Sequence, residues 1–147
     1  MKIIVINGPS LNMLGIREPD IYGNTTYADL CRIIEEHAAK AGIEVKILQS
    51  NHEGDLVDAI HSALGTADGI VINPAAYTHT SIALLDALKA VSLPAVEVHI
   101  SDVDSREEFR KTSYVRLYCE KTISGHGIAG YTEAIDYLAK KYGTAEA

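Results

Sequence analysis

Short, wholly apolar runs that alternate with segments of helical period constrain this chain more than any other feature. Ile3-Ile4-Val5-Ile6, Gly69 to Asn73 (GIVIN) and Ala95 to His99 (AVEVH) lack the apolar–polar alternation of a strand with one wet face. Such runs belong to strands buried on both sides, as in a parallel sheet. Glu44 to Gln49 (EVKILQ) reads as the second strand, and the segment Val115 to Ile123 carries a fifth. Helical patterns fill the gaps. Leu30, Ile33, Ile34, Ala38 and Ala41 recur at helical spacing from Tyr27 to Ala41, with Thr25 or Thr26 to cap that helix and Gly42 to stop it. A second helix opens at Asp55, after the loop Asn51 to Gly54, with Leu56, Ile60 and Leu64 on one face; a third runs from Thr80 to Val91; the last ends near Tyr142. Strand–helix alternation implies right-handed crossovers. The expected fold is an α/β, flavodoxin-like three-layer sandwich whose five-stranded parallel sheet has the order 2-1-3-4-5.

That order says where chemistry belongs. Ligands of such sheets bind beyond the carboxyl ends of the strands, where strand order reverses. The segments from Asn7 to Tyr22, Asn73 to His79 and His99 to Arg110 should therefore converge. With 147 residues the chain reads as one domain over 1–147, with a lid loop at about 8–23 and a flexible tail at about 143–147. Apolar residues make up 47% and a single Phe with no Trp leaves Ile, Val, Leu and Ala to fill the core. The net charge of −7 argues against a nucleic-acid surface, though a few placed arginines can still hold an anion. Cys31 and Cys119 have no metal-ligand spacing and read as two free thiols rather than a disulfide. The N-terminus is too short for a signal peptide, and no apolar run reaches the roughly 18 residues of a membrane span. A cytoplasmic protein is the expectation.

The segment NGPSLNMLGIREPDIYG, Asn7 to Gly23, follows the first strand without a clean period of its own. Long ordered loops are often lids, and Gly15 and Gly23 could act as hinges around Arg17, Glu18 and Tyr22. A phenol with a pKa of about 10 is a poor base at neutral pH. A guanidinium beside it would favour the phenolate, so Arg17 could make Tyr22 a base. A surface charge and a packed ring is the plainer alternative. Glu97 and His99, two apart on one strand, share a face; the carboxylate would fix the imidazole's tautomer and favour its proton-donating form. Asn73 and His79 supply an amide and a second imidazole. Arg106 and Arg110, four apart on a short helix over Ser105 to Lys111, would share a face and grip a carboxylate, unless Glu107 or Glu108 neutralises them. No metal-binding spacing occurs. Gly125 to Gly130 imitates a dinucleotide loop but follows the last strand, so it reads as a tight strand-to-helix turn.

Taken together, NGPSLNMLGIREPDIYG, INPAAYTHTS, VEVHIS and the Arg106/Arg110 pair resemble type II 3-dehydroquinate dehydratase over nearly the whole chain. The resemblance implies a shikimate-pathway lyase that eliminates water from 3-dehydroquinate through an enolate, without metal or cofactor. It implies Tyr22 as base, Arg17 as its activator, and His99, held by Glu97, as acid. It implies substrate contacts from Asn73, His79, Ile100, Ser101 and Arg110, with Asp86 reaching the site from a neighbouring subunit of a dodecamer built from trimers. One position departs: the family usually has Asn where this chain has Ser10. That Asn helps hold the water that stabilises the enolate, and Asn12 stands close enough in sequence to compensate. Two other readings remain: a relative acting on another cyclic polyol acid, and a non-catalytic flavodoxin-like binding module. Against the latter, the first strand leads into Asn7-Gly8-Pro9, neither an acidic cluster nor a phosphate loop.

Overall fold

Five parallel strands run in the order β2-β1-β3-β4-β5 in the computed structural model, which describes residues 1–16, 18–22 and 24–143, Tyr22 by its backbone alone. Arg17, Gly23 and the last four residues of the expected tail lie outside the described residues. The strands are β1 Lys2–Asn7, β2 Glu44–Gln49, β3 Gly69–Asn73, β4 Ala95–His99 and β5 Lys121–Ser124. The helices are α1 Pro19–Tyr22, α2 Tyr27–Lys40, α3 Glu53–Ser62, α4 Ile82–Val91 and α5 Ala129–Tyr142.

The apolar runs are continuous because both faces of the sheet are covered. Ile3, Val5, Val71, Val96 and Val98 pack with Leu30 and Ile34 of α2 and Ile135 and Leu138 of α5. Ile4, Ile6, Ile70 and Ile72 point the other way, onto Leu56 and Ile60 of α3 and Leu84 and Leu88 of α4. Alternate residues of one strand thus enter two cores. Thr26 caps α2 through a capping box: its side chain accepts from Asp29 N at 3.1 Å, and Thr26 N donates to the Asp29 carboxylate at 3.2 Å.

The register lines up the functional strand ends. Asn7 lies beside Asn73 across β1 and β3, and His99 beside Ser124 across β4 and β5. Gly8 then lets the two loops meet: a Cβ on it would stand 2.3 Å from the Pro74 carbonyl oxygen. Its N–H instead donates to the Asn73 carbonyl at 2.8 Å. Beyond it, Leu11 and Leu14 are each 3% exposed and anchor the 3-10 turn Leu11–Met13 to the core.

Several boundaries differ from the sequence reading. Helix α3 opens at Glu53 rather than Asp55, after His52. A 3-10 turn over Ala75–His79 takes up the residues before α4, and Ser81 caps that helix by accepting from Leu84 N at 3.0 Å. The fifth strand is shorter than the segment from Val115, because Val115–Leu117 forms a 3-10 turn and strand pairing starts at Lys121. Arg106 and Arg110 do not share one helix. Arg106 is extended (φ −95°, ψ −156°) between the 3-10 turns Val103–Ser105 and Glu108–Lys111. The Asp102 side chain caps the first of these turns at Asp104 N, 3.2 Å away. Both cysteines are free. Among the described residues no helix is long and apolar enough to cross a membrane.

Gly8→Ala should unseat the β1–β3 junction, since backbone rather than a flexible side chain blocks the new methyl. We expect a loss of about 2 kcal/mol or more in urea unfolding. An unchanged unfolding midpoint would show that the junction has slack.

Candidate active site

At the carboxyl edge of the sheet, the loops after β1, β3 and β4 enclose a cavity of about 120 Å³. The first loop contributes Pro9, Ser10 and Leu11, and the second Asn73 and His79. The third contributes His99, Ile100 and Ser101, and Arg106 and Arg110 complete the lining. The three segments that topology marked for convergence do meet.

Glu97 stands behind His99, outside the cavity lining, and is wholly buried. A buried carboxylate is tolerated only when saturated with donors. Its Oε2 lies 2.5 Å from His99 Nε2 and 2.6 Å from the Ser113 hydroxyl. The Thr78 hydroxyl is 3.2 Å from the same oxygen and 2.6 Å from Ser113 Oγ. Oε1 accepts from Thr122 Oγ1 at 2.8 Å and Arg116 Nε at 3.1 Å. Burial alone would raise the Glu97 pKa, but the His99 hydrogen bond and charge, the Ser113 hydroxyl and the Arg116 charge outweigh it and hold the carboxyl down to about 2. Glu97 is therefore an acceptor, and His99 Nε2 is the donor. His99 Nδ1 has no partner among the described residues, and the ring is 4% exposed at the cavity wall.

His79 is arranged differently. Its Nδ1 lies 2.7 Å from the Thr112 carbonyl, which only accepts, so Nδ1 carries the proton and Nε2 does not need one. Desolvation lowers its pKa further than the Thr112 contact raises it. At neutral pH it is an uncharged imidazole. Asn73 is oriented on both ends of its amide: Oδ1 accepts from Ala75 N at 3.1 Å, and Nδ2 donates to the Tyr131 hydroxyl at 2.8 Å. Tyr131, fully buried on α5, donates in turn to Asn7 Oδ1 at 2.7 Å.

Arg110 and Arg106 share a carboxylate. Glu107 Oε2 is 2.7 Å from Arg110 Nε and 3.9 Å from Arg106 Nε. Arg106 Nη1 also donates to the Ser101 hydroxyl at 3.4 Å. Both arginine side chains are mostly covered, 13% and 23% exposed, while that of Glu107 is 53% exposed. A planar carboxylate from a ligand could replace the one that Glu107 supplies.

Ser10 lines the cavity in a left-handed conformation (φ 68°), its N–H bound to Asn51 Oδ1 at 3.0 Å. Asn12 is exposed and outside the cavity lining; its Oδ1 lies 3.5 Å from Gln49 Nε2. Asp86 sits exposed on α4, also away from the lining. Of the expected base and its activator, Tyr22 is described only as the last residue of α1, and Arg17 lies outside the described residues. Among the described residues no group of three or more His, Cys, Asp or Glu side chains could hold a metal ion.

The partners of Glu97 and of Asn73 carry no sequence signal of their own. Ser113, Arg116 and Thr122 come from separate elements, and Tyr131 is 124 residues from Asn7. A Glu inside an otherwise apolar strand does announce that partners must exist, without saying which.

A family model described as Dehydroquinase class II matches residues 1–139. The chain is 59% identical over 138 residues to the 3-dehydroquinate dehydratase of Corynebacterium glutamicum (strain R), covering 94% of this chain and 95% of that protein. It is 51% identical over 138 residues to the 3-dehydroquinate dehydratase of Clostridium acetobutylicum, covering 94% and 96%. The crystal structure of a type II dehydroquinase from Butyrivibrio crossotus DSM 2876 matches with a TM-score of 0.93 at 54% identity, over 94% of this chain and 97% of that one.

The Glu97 site makes stability depend on pH in a definite direction. The folded protein holds this carboxyl near 2, against an ordinary 4.5, so the unfolded chain takes up the proton first. The stabilisation is complete above about 4.5 and is lost as pH falls towards 2. Glu97→Gln should be less stable by about 3 kcal/mol at neutral pH, because it leaves Arg116 and His99 without their anion. The gap to the parent should narrow in urea titrations at progressively lower pH; a gap independent of pH would refute the ionised form.

Proposed function

The chain belongs to the class II dehydroquinase family, and from that premise we propose how its residues divide the dehydration of 3-dehydroquinate to 3-dehydroshikimate. This hydro-lyase reaction of the shikimate pathway is an anti elimination that passes through an enolate, and no metal or cofactor takes part. It needs a base at the carbon next to the ketone, donors for the enolate oxygen and an acid for the departing hydroxyl. Tyr22 is the base, with Arg17 favouring its phenolate. His99 is the acid: its Nε2 proton stays with Glu97 while Nδ1 delivers a proton to the leaving oxygen. Arg110, with Arg106, binds the substrate carboxylate. Asn73, His79 and Ser101, together with the Ile100 backbone, hold the ring hydroxyls. The single observation that carries this reading is the buried Glu97–His99 pair, 2.5 Å apart, at the wall of a cavity that two arginines also line.

The segment at about 8–23 acts as a lid that closes over bound substrate and excludes water. The working enzyme is a cytoplasmic dodecamer of trimers. Support for assembly comes from Asp86, which is exposed outside the cavity and meets substrate only if a neighbouring copy brings it there. Exposed Ile82 (55%) on the same helix and Leu117 (74%) supply apolar surface for contact.

Ser10 favours a second reading, a relative with a weakened or redirected enolate step. A hydroxyl offers one rotating donor where the family's Asn offers an amide, and serine is less at ease than asparagine in the left-handed region. Asn12 does not stand in for it, being turned to Gln49.

The test is appearance of the conjugated enone in the ultraviolet on adding 3-dehydroquinate, with chelator present. Tyr22→Phe and His99→Ala should each lower turnover by about 100-fold or more; full activity in either would remove that residue from its role. Ser10→Asn should raise turnover with 3-dehydroquinate and raise the unfolding midpoint. No gain in turnover, with a different cyclic acid preferred by the parent, would favour the redirected relative.

A further inference from the structure

Arg116 is the unexplained charge beside this site. It lies on the 3-10 turn Val115–Leu117, does not line the cavity, and touches Glu97 Oε1 through Nε alone at 3.1 Å. Its Nη2 is buried with no acceptor among the described residues. An arginine serving only as an anchor would engage the carboxylate with both arms; leaving one buried nitrogen unmatched carries a desolvation penalty. The other groups facing Glu97 do not duplicate its charge. Ser113, Thr78 and Thr122 are neutral donors. His79, on the turn after β3, is kept neutral by desolvation, and burial pushes the Cys119 thiol far up, so it stays uncharged. His99 is the group whose proton is at issue.

We propose that Arg116 is a positioning residue for the proton-donating step: its fixed charge on the far oxygen of Glu97 weakens the grip of the Glu97–His99 pair on the proton that His99 must surrender. The inference rests on the assignment of His99 as acid. The physical ground is direct. A carboxylate bound only by His99 and neutral hydroxyls attracts the imidazolium more strongly, and a more strongly held proton makes a poorer acid. Arg116 offsets part of that attraction through the carboxylate, without touching substrate. Its removal makes the pair bind its proton more tightly.

The experiment is the pH profile of kcat and KM for the full-length enzyme with Arg116→Met, Arg116→Gln and Arg116→Lys, alongside the 15N signals of the His99 ring. Arg116→Met and Arg116→Gln should lower kcat by about tenfold. They should move the alkaline limb up by about one pH unit, shift the ring titration equally, and leave KM within about twofold. Arg116→Lys should restore the limb. If Arg116→Met fails to fold, Arg116→Gln, which removes the charge but keeps a donor, carries the same expectation. A limb and ring titration that stay in place while the unfolding midpoint falls would make Arg116 a structural anchor and overturn the proposal. His99→Ala separates the premise from the inference. If it leaves the parent's alkaline limb unmoved, the acid is misassigned and both fall; if it abolishes the limb while the Arg116 variants leave it in place, only the inference falls.

Discussion

A carboxylate with no exposure to water lies at the centre of this protein. Glu97 occupies a position in β4 where Ala, Val or Ile would serve the fold better, and its burial is bearable only because donors from several elements converge on it. Strand β5, the turn after β3 and the 3-10 turn before β5 each send one group to it. The charge therefore ties the carboxyl half of the sheet together around one imidazole. Stability and chemistry are not separable here: what keeps the charge ionised inside the protein is what orients His99.

The parallel register provides the second constraint. Because β1 and β3 end in step, Asn7 and Asn73 stand side by side, and one buried tyrosine hydroxyl from α5 serves both. Gly8 allows the loops that follow to touch. A cavity at this edge is built from the last residues of β3 and β4, Asn73 and His99, and from the loops and 3-10 turns that follow the strands. Among the described residues between Leu14 and Thr26, none has a buried side chain of the kind that Leu11 and Leu14 use as anchors.

Much of this could be read in the chain itself. Two-sided burial shows as unbroken apolar runs, and strand–helix alternation leaves few topologies, so the sheet order and the meeting of three loops followed. The Glu97–His99 pair was visible because a strand has a period of two. The arginines were harder: a spacing of four suggested one helix, whereas the segment folds as two 3-10 turns with Arg106 extended between them. Both arginines still reach one carboxylate, that of Glu107, through local contacts: Arg106 precedes it directly and Arg110 follows three residues on. The supporting shell was invisible for a different reason. Ser113, Arg116, Thr122 and Tyr131 are matched to partners by folding, and no local pattern records such a match. Val115 to Leu117 looked like strand because its residues suit one, yet its backbone turns to bring Arg116 beneath Glu97.

The carboxylate of Glu107 lying against Arg110, with Arg106 nearby, has a consequence for how a substrate arrives. In the proposed role of Arg110, the seat for the substrate carboxylate is filled beforehand by the protein's own side chain, so docking would be an exchange of one carboxylate for another rather than a capture by bare charge. A chain of net charge −7 gains little from long-range attraction of an anion in any case. What the internal occupant would provide is readiness: the Glu107 contact already restrains the Arg110 side chain, so less side-chain freedom is lost at the moment of binding. It also sets a threshold. A small stray anion must displace a partner that is tethered three residues away, whereas the true substrate can offset that displacement with contacts across the rest of the cavity.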